Sequence, residues 1–303
     1  MGGSNTNQDE GNSLRGILLL AAGAFLISFS AVFVKLAQVP PTTAGFYRVL
    51  IGGLMLLALV LIRGQKLWRG SRSFSLALLC GLLFALDLGF WHVSILLVGP
   101  GLSTILANFQ VFGLAAVGTL FMGERLGLRR AVSMPLAMAG LALLVGVHKG
   151  AVSGDHLSGV WAGLITAVCY TAYTLSLRKL QGLEGGSAIM PNMALLSLAC
   201  AVFLLAASLL QGQELTVNSG MSWLWLTVYG LVGQVLGWVL ISRGLPLTSA
   251  SHAGLILLLQ PTLAFVWDIT LFGRPTDSLE YLGAVMALAA IYMGSAPSRK
   301  KLA

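Results

Sequence analysis

The sequence predicts an all-α integral membrane protein of ten spanning helices, arranged as two five-helix repeats of opposite orientation. Three observations lead there. Of the 303 residues, 57% are apolar and 9% charged, with a mean hydropathy of +0.88, whereas a soluble domain carries about 25% charged residues. The apolar residues fall into runs of the length that crosses a bilayer, about 20 residues. One such run also occurs twice. Thr104 to Arg125 reads TILANFQVFGLAAVGTLFMGER and Gly254 to Pro275 reads GLILLLQPTLAFVWDITLFGRP, so that Gln110 falls on Gln260 and Gly123 on Gly273.

In chain order the expected spans cover residues 14–36, 43–63, 73–97, 101–122 and 128–147, then 157–178, 187–210, 221–243, 248–272 and 277–295. The first is too long for a secretory signal and lacks a small-residue cleavage site, so it is read as a span. Trp68, Trp161, Trp223 and Trp225 stand near span ends, where interfacial anchors belong. Short connections leave no room for a soluble domain. Basic residues set the orientation: Arg15, Arg63, Lys66, Arg125, Arg178, Arg243 and the tail Arg299-Lys300-Lys301 collect on the side of both termini. Only Lys35, Lys149 and Arg274 fall opposite. Both termini are therefore expected in the cytoplasm.

The repeat extends over the whole chain. Ala24, Ser28, Ala31 and Lys35 of the first span answer to Ala167, Thr171, Thr174 and Arg178 of the sixth. Ala85 and Gly89 of the third answer to Gly233 and Gly237 of the eighth. Ser133, Ala137 and Gly140 of the fifth answer to Gly283, Ala287 and Ala290 of the tenth. Small residues at these spacings let helices approach closely in lipid. Each half, 1–150 and 151–303, holds an odd number of spans, so the second enters the membrane from the other side. This inverted repeat is the build of many secondary transporters, with substrate held near the midplane between the halves.

Composition and motifs also exclude. The net charge of +8 lies in short loops without interleaved aromatics, so no nucleic-acid partner is expected. Cys80, Cys169 and Cys200 lie inside spans, away from any CxxC spacing, and no metal or other cofactor is expected. An intramembrane enzyme would need a converging nucleophile and base. Ser251 and His252 are adjacent in sequence, and neighbours on a helix do not face each other. A channel or scaffold is the other class weighed, and the inverted repeat speaks against it.

Several residues resemble a known group. PTTAGFYRVLIGGLMLLAL at the second span, the run from Gln110 to Gly123-Glu124-Arg125, and Gln260-Pro261 resemble the drug/metabolite transporter superfamily, in particular its ten-span EamA branch. Within it the chain is most similar to YddG-type bacterial exporters of aromatic amino acids. The chain departs from the pattern where Arg274 follows Gly273 and where Val111 replaces a frequent proline. The resemblance implies a basket of helices around a cavity that opens alternately to each side, spans five and ten at the periphery, and export of small metabolites.

Candidate residues for an aromatic zwitterion are aromatic walls with a few polar groups. The first span offers Phe25, Phe29 and Ser30, and the third Asp87, Phe90, Trp91 and His92. The fourth offers Asn108 and Gln110, the sixth Tyr170 and Tyr173, the eighth Gln234 and Trp238, and the ninth His252 and Gln260. Asp87 reads either as a cation or proton partner or as a structural hydrogen-bonding group. Arg48 reads either as snorkelling to the interface or as neutralising a carboxylate of the protein or of a substrate. Asp268 is expected at the interface, and Pro261 to kink the ninth span. The expected partners are a small-molecule amino acid, the lipid bilayer and, as an oligomeric option, a homodimer.

Overall fold

The computed structural model describes residues 4–144, 156–183 and 188–295; Lys149, the 299–301 tail and the division between the halves at residue 150 lie outside them. Every described element is helical. In the first half the helices are α1 (Ser4–Ser28), α2 (Ser30–Ala37), α3 (Pro41–Ile62), α4 (Ser71–Asn108), α5 (Gln110–Phe121) and α6 (Leu128–Leu144). The second half holds α7 (His156–Gly182), α8 (Ile189–Leu210), α9 (Gly220–Tyr229), a π-helical stretch Gly230–Gly237, α10 (Trp238–Gly244), a 3-10 turn Leu245–Leu247, α11 (Ala250–Leu257), α12 (Leu259–Phe272) and α13 (Ser278–Ser295). Among the described residues, eight stretches are long and apolar enough to cross a membrane, and the described parts of the fifth and tenth expected spans are α6, with 17 residues, and α13, with 18. Leu96, Phe121 and Leu210 stand more than 80% exposed on the bundle surface. A coat of that kind belongs against acyl chains.

Several spans are broken, and the breaks have local causes. Ser28 and Ser30 donate their hydroxyls to the carbonyls of Phe25 and Ile27, at 2.6 and 2.5 Å. Such back-bonding bends helices, and α1 gives way to α2 at Phe29. The α4 helix contains a reversal: the Ser103 hydroxyl reaches the Trp91 carbonyl at 3.3 Å, whereas twelve residues of straight helix rise about 18 Å. The third and fourth spans are thus the two arms of a hairpin. The fourth and ninth spans break at Phe109 and Leu258, one position apart in the repeat register. Pro261 fits the second break, since its ring cannot accept the carbonyl four residues back. The first break has no proline, so the bend belongs to the repeat and not to Pro261 alone.

The packing obeys the inverted repeat. The first span lies on α10 as the sixth lies on α4, α3 lies on the π stretch as α4 lies on α8, and α1 meets α12 as α7 meets α5. The pairs α3–α8, α5–α11 and α6–α13 each join a span to its own counterpart. The matched residues Ser28 and Thr171 reach matched spans, the ninth and the fourth. Ser28 accepts from the Trp267 indole at 2.8 Å, and Thr171 donates toward the Gln110 carbonyl at 3.5 Å. At the α6–α13 contact a Cβ on Gly140 would stand 2.6 Å from the Ala287 amide nitrogen, so the small residues of spans five and ten pack backbone to backbone. Gly89, by contrast, has open space around its Cα and serves no close approach.

Candidate functional site

A cavity of about 840 Å³ lies between the halves. One end is bordered by Lys35, Pro41, Asp268 and Arg274, and its depth by Phe84, Asp87, Tyr170, Trp238 and Leu257. At the mouth Lys35 and Asp268 form an ion pair. Arg274 stands 3.8 Å from Asp268 and 3.1 Å from Glu280. Glu280 is held in turn by a capping box at the start of α13: the Asp277 amide donates to Glu280 and the Glu280 amide to Asp277, at 3.0 and 2.9 Å. Asp268 is therefore a member of the cavity rim.

The opposite end is shut by one carboxylate. Gly123 follows α5 with φ +66°, a turn that glycine adopts without strain, and it delivers Glu124 to the start of α11. Glu124 accepts from the Ala250 amide at 2.6 Å, the Ser251 amide at 3.1 Å and the Ser251 hydroxyl at 2.8 Å. Arg178 stands 3.6 Å away. Burial pushes the Glu124 carboxyl up, but these donors and the Arg178 charge outweigh it and hold the group below its usual range. Gly273 makes the equivalent turn after α12, φ +60°, yet delivers Arg274 to its own half. The two ends thus differ in kind: Glu124 takes three hydrogen bonds across the halves, whereas at the cavity mouth the halves meet through the partly exposed Lys35–Asp268 ion pair.

The structure gathers eight of the expected residues into the cavity wall: Ser30, Asp87, Trp91, His92, Asn108, Tyr170, Trp238 and Gln260. The Tyr170 hydroxyl lies against the Gln260 amide, and the Asn108 amide donates to the Thr104 carbonyl at 2.8 Å.

Seven stand elsewhere. Phe25 and Phe29 pack with Trp267, Phe29 stacked on the indole at 4.5 Å. Phe90 is partly exposed and outside the lining. Tyr173 is wholly buried, stacked on Phe84 at 4.7 Å behind the wall. Gln234 donates to Ser197 at 2.8 Å, and the His252 ring lies 3.2 Å from the Gly294 carbonyl, near the Glu124 end. Gln110 is buried with neither side-chain amide atom bonded, so the two matched glutamines have unlike surroundings.

Three wall residues were not singled out beforehand or were left between two readings. Phe84 lies one turn before Asp87, a spacing that puts both on one face. Tyr229 could not be found by helical phase. It stands nine residues before Trp238, about two and a half turns of straight α-helix, which would place the two on opposite faces. The π stretch between them, closed by the Trp238 amide on the Gly233 carbonyl, advances less per residue and brings both to the cavity. Arg48 is 6% exposed and lines the cavity. It does not snorkel.

With this geometry the relatives can be placed. The EamA-like transporter family matches the chain twice, over residues 14–146 and 157–295. The chain belongs to that family. Its members are transporters, so this chain is a transporter and not an enzyme. A WAT1-related chloroplastic protein of Arabidopsis thaliana is 25% identical over 95% of this chain and 74% of its own. A pseudopaline exporter of Pseudomonas aeruginosa is 26% identical over 91% and 94%. A probable amino-acid metabolite efflux pump of Salmonella typhimurium is 24% identical over 64% and 66%. A crystal structure superposes with a TM-score of 0.80 over 92% of this chain and 98% of the other at 17% identity, a likeness of fold alone. None of these names specifies an aromatic amino acid.

Proposed function

We propose that this member of the EamA-like transporter family exports aromatic or other large neutral amino acids by alternating access, as a secondary carrier in a bacterial-type plasma membrane with both termini in the cytoplasm. The observation that carries the reading is the cavity: it lies between the two halves and has Trp91, Tyr170, Phe84 and Trp238 beside polar groups in its wall. Flat aromatic walls with a few fixed polar groups suit a ligand with an aromatic side chain and a polar backbone. Rocking of the 1–150 half against the 151–303 half would untie Glu124 and close the Lys35 end. The cavity is complete within one chain, so the reading needs no second copy.

A second reading, export of a metabolite of another class, draws on the cavity volume and on the likeness to the pseudopaline exporter of Pseudomonas. Counterflow in proteoliposomes decides between them. Saturable exchange of labelled phenylalanine or tryptophan supports the first; exchange of other solutes with no amino-acid exchange rejects it.

A further inference from the structure

Two unlike charges sit in the cavity wall, 6% and 8% exposed: Arg48 from α3 and Asp87 from α4. The Arg48 guanidinium lies over the Phe84 ring at 5.1 Å and the Tyr229 ring at 5.3 Å. Its Nη1 donates to the Tyr229 hydroxyl at 3.1 Å. Its Nε and Nη2 are buried without an acceptor. Those two nitrogens form the edge of the guanidinium that takes both oxygens of a carboxylate side-on. Leaving them unpaired in a buried site is costly.

Asp87 stands one turn beyond Phe84 on the same helix, so stacking on Phe84 brings the guanidinium to the neighbourhood of the carboxylate. The least costly arrangement of two such charges would be a direct pair. Among the described residues Arg48 bonds only to Tyr229, and the two charges stay apart.

We propose that Arg48 and Asp87 form a clamp for an α-amino acid zwitterion, Arg48 taking the carboxylate through Nε and Nη2 and Asp87 taking the ammonium. The substrate carries the two groups on one carbon, which suits charges that lie near each other without pairing. Its side chain then lies along Trp91, Tyr170 and Trp238. Rotation about the terminal torsions of Arg48 turns the covered Nε–Nη2 edge toward the cavity. Lysine would keep the charge but not the fork. This inference rests on the amino-acid reading of the cavity and adds to it a requirement for both charged groups on the substrate.

The test is inhibition of labelled phenylalanine counterflow in proteoliposomes by phenylalanine, 2-phenylethylamine and 3-phenylpropanoate. In the unaltered protein the two analogues, each lacking one charged group, are expected to compete about tenfold less well or worse, as when a site built for a polar group meets a ligand without it. Arg48→Lys is expected to raise the KM for phenylalanine about tenfold and bring 2-phenylethylamine level with it. Asp87→Asn is expected to do the same for 3-phenylpropanoate. Melting temperatures of the purified variants separate folding from binding. If either analogue competes as well as phenylalanine in the unaltered protein, or if both variants slow exchange without changing the analogue ratios, the clamp is overturned while amino-acid transport stands. If the unaltered protein exchanges no amino acid, the transport reading fails and the clamp with it.

Discussion

Replacing Glu124 by Ala should loosen the closed end of the bundle. The carboxylate takes three hydrogen bonds, at 2.6, 3.1 and 2.8 Å, all from residues of the other half. A hydrogen bond to a charged group contributes about 1.5–3 kcal/mol. Two of the donors, however, are amides at the start of α11, and water would satisfy them once the end opened. The Arg178 contact at 3.6 Å is partly exposed and adds little. A net loss of roughly 2–3 kcal/mol remains, comparable to a strong helix cap. That multiplies the ratio of open to closed states at this end by about 30- to 150-fold. Glu124→Gln keeps the shape and one acceptor but loses the charge, so a smaller shift, about fivefold, is expected.

The assay is thiol labelling at Ala253→Cys, a position 1% exposed just inside the tie, in a background with Cys80, Cys169 and Cys200 replaced. A membrane-impermeant reagent added from the Glu124 side should react slowest when Glu124 is retained, faster with Glu124→Gln and fastest with Glu124→Ala. Equal labelling rates in all three would refute the assignment of Glu124 as the tie.

Three further outcomes are expected. The Glu124 carboxyl is held below its ordinary value, near 4.5, so its stabilisation is present above that pH and is lost as pH falls through the depressed value. The ratio of labelling rates at position 253 between Glu124→Ala and the Glu124-retaining protein, in which the pH dependence of the thiolate itself cancels, should therefore be flat from about pH 7 to pH 5, and a transition in that ratio near pH 6 would contradict the hydrogen bonding described. Tyr173→Phe should leave the melting temperature unchanged or raise it, because the lost hydroxyl is buried without a partner and such a group costs about 1–3 kcal/mol; a fall in stability would reveal a partner. Gly140→Ala puts a methyl against the α13 backbone at 2.6 and 2.8 Å and should destabilise by about 1–3 kcal/mol, read as a lower melting temperature in detergent.

Much of the fold was legible because the bilayer imposes a length. Runs near 20 residues, short loops and an odd number of spans per half lead directly to an inverted repeat, and the α6–α13 contact joins the small residues whose spacing had suggested it. Fine structure was less legible. The break before Gln110 carries no proline, and Gly89 shows that small-residue spacing alone does not identify a contact.

At the site, residue type was a better guide than residue direction. Charge inside a span pointed to Asp87, and aromatic character to Trp91, Tyr170 and Trp238, because such groups are costly or conspicuous in lipid wherever they face. Direction depends on helical phase. A π stretch of eight residues shifts that phase for the remainder of its span, bringing Tyr229 to the cavity and leaving Gln234 on Ser197. Arg48 shows the same division. Its sequence position allowed either a snorkelling cation or an interior one, and only the packing of Phe84 and Tyr229 around its guanidinium decides for the interior. The amino-acid sequence by itself determined that the chain crosses a membrane many times as two opposed halves, since hydropathy and spacing are local properties. Which end is tied, which side chains share the cavity and which charges stay unpaired were decided by the tertiary structure, because each is a relation between helices far apart in the chain.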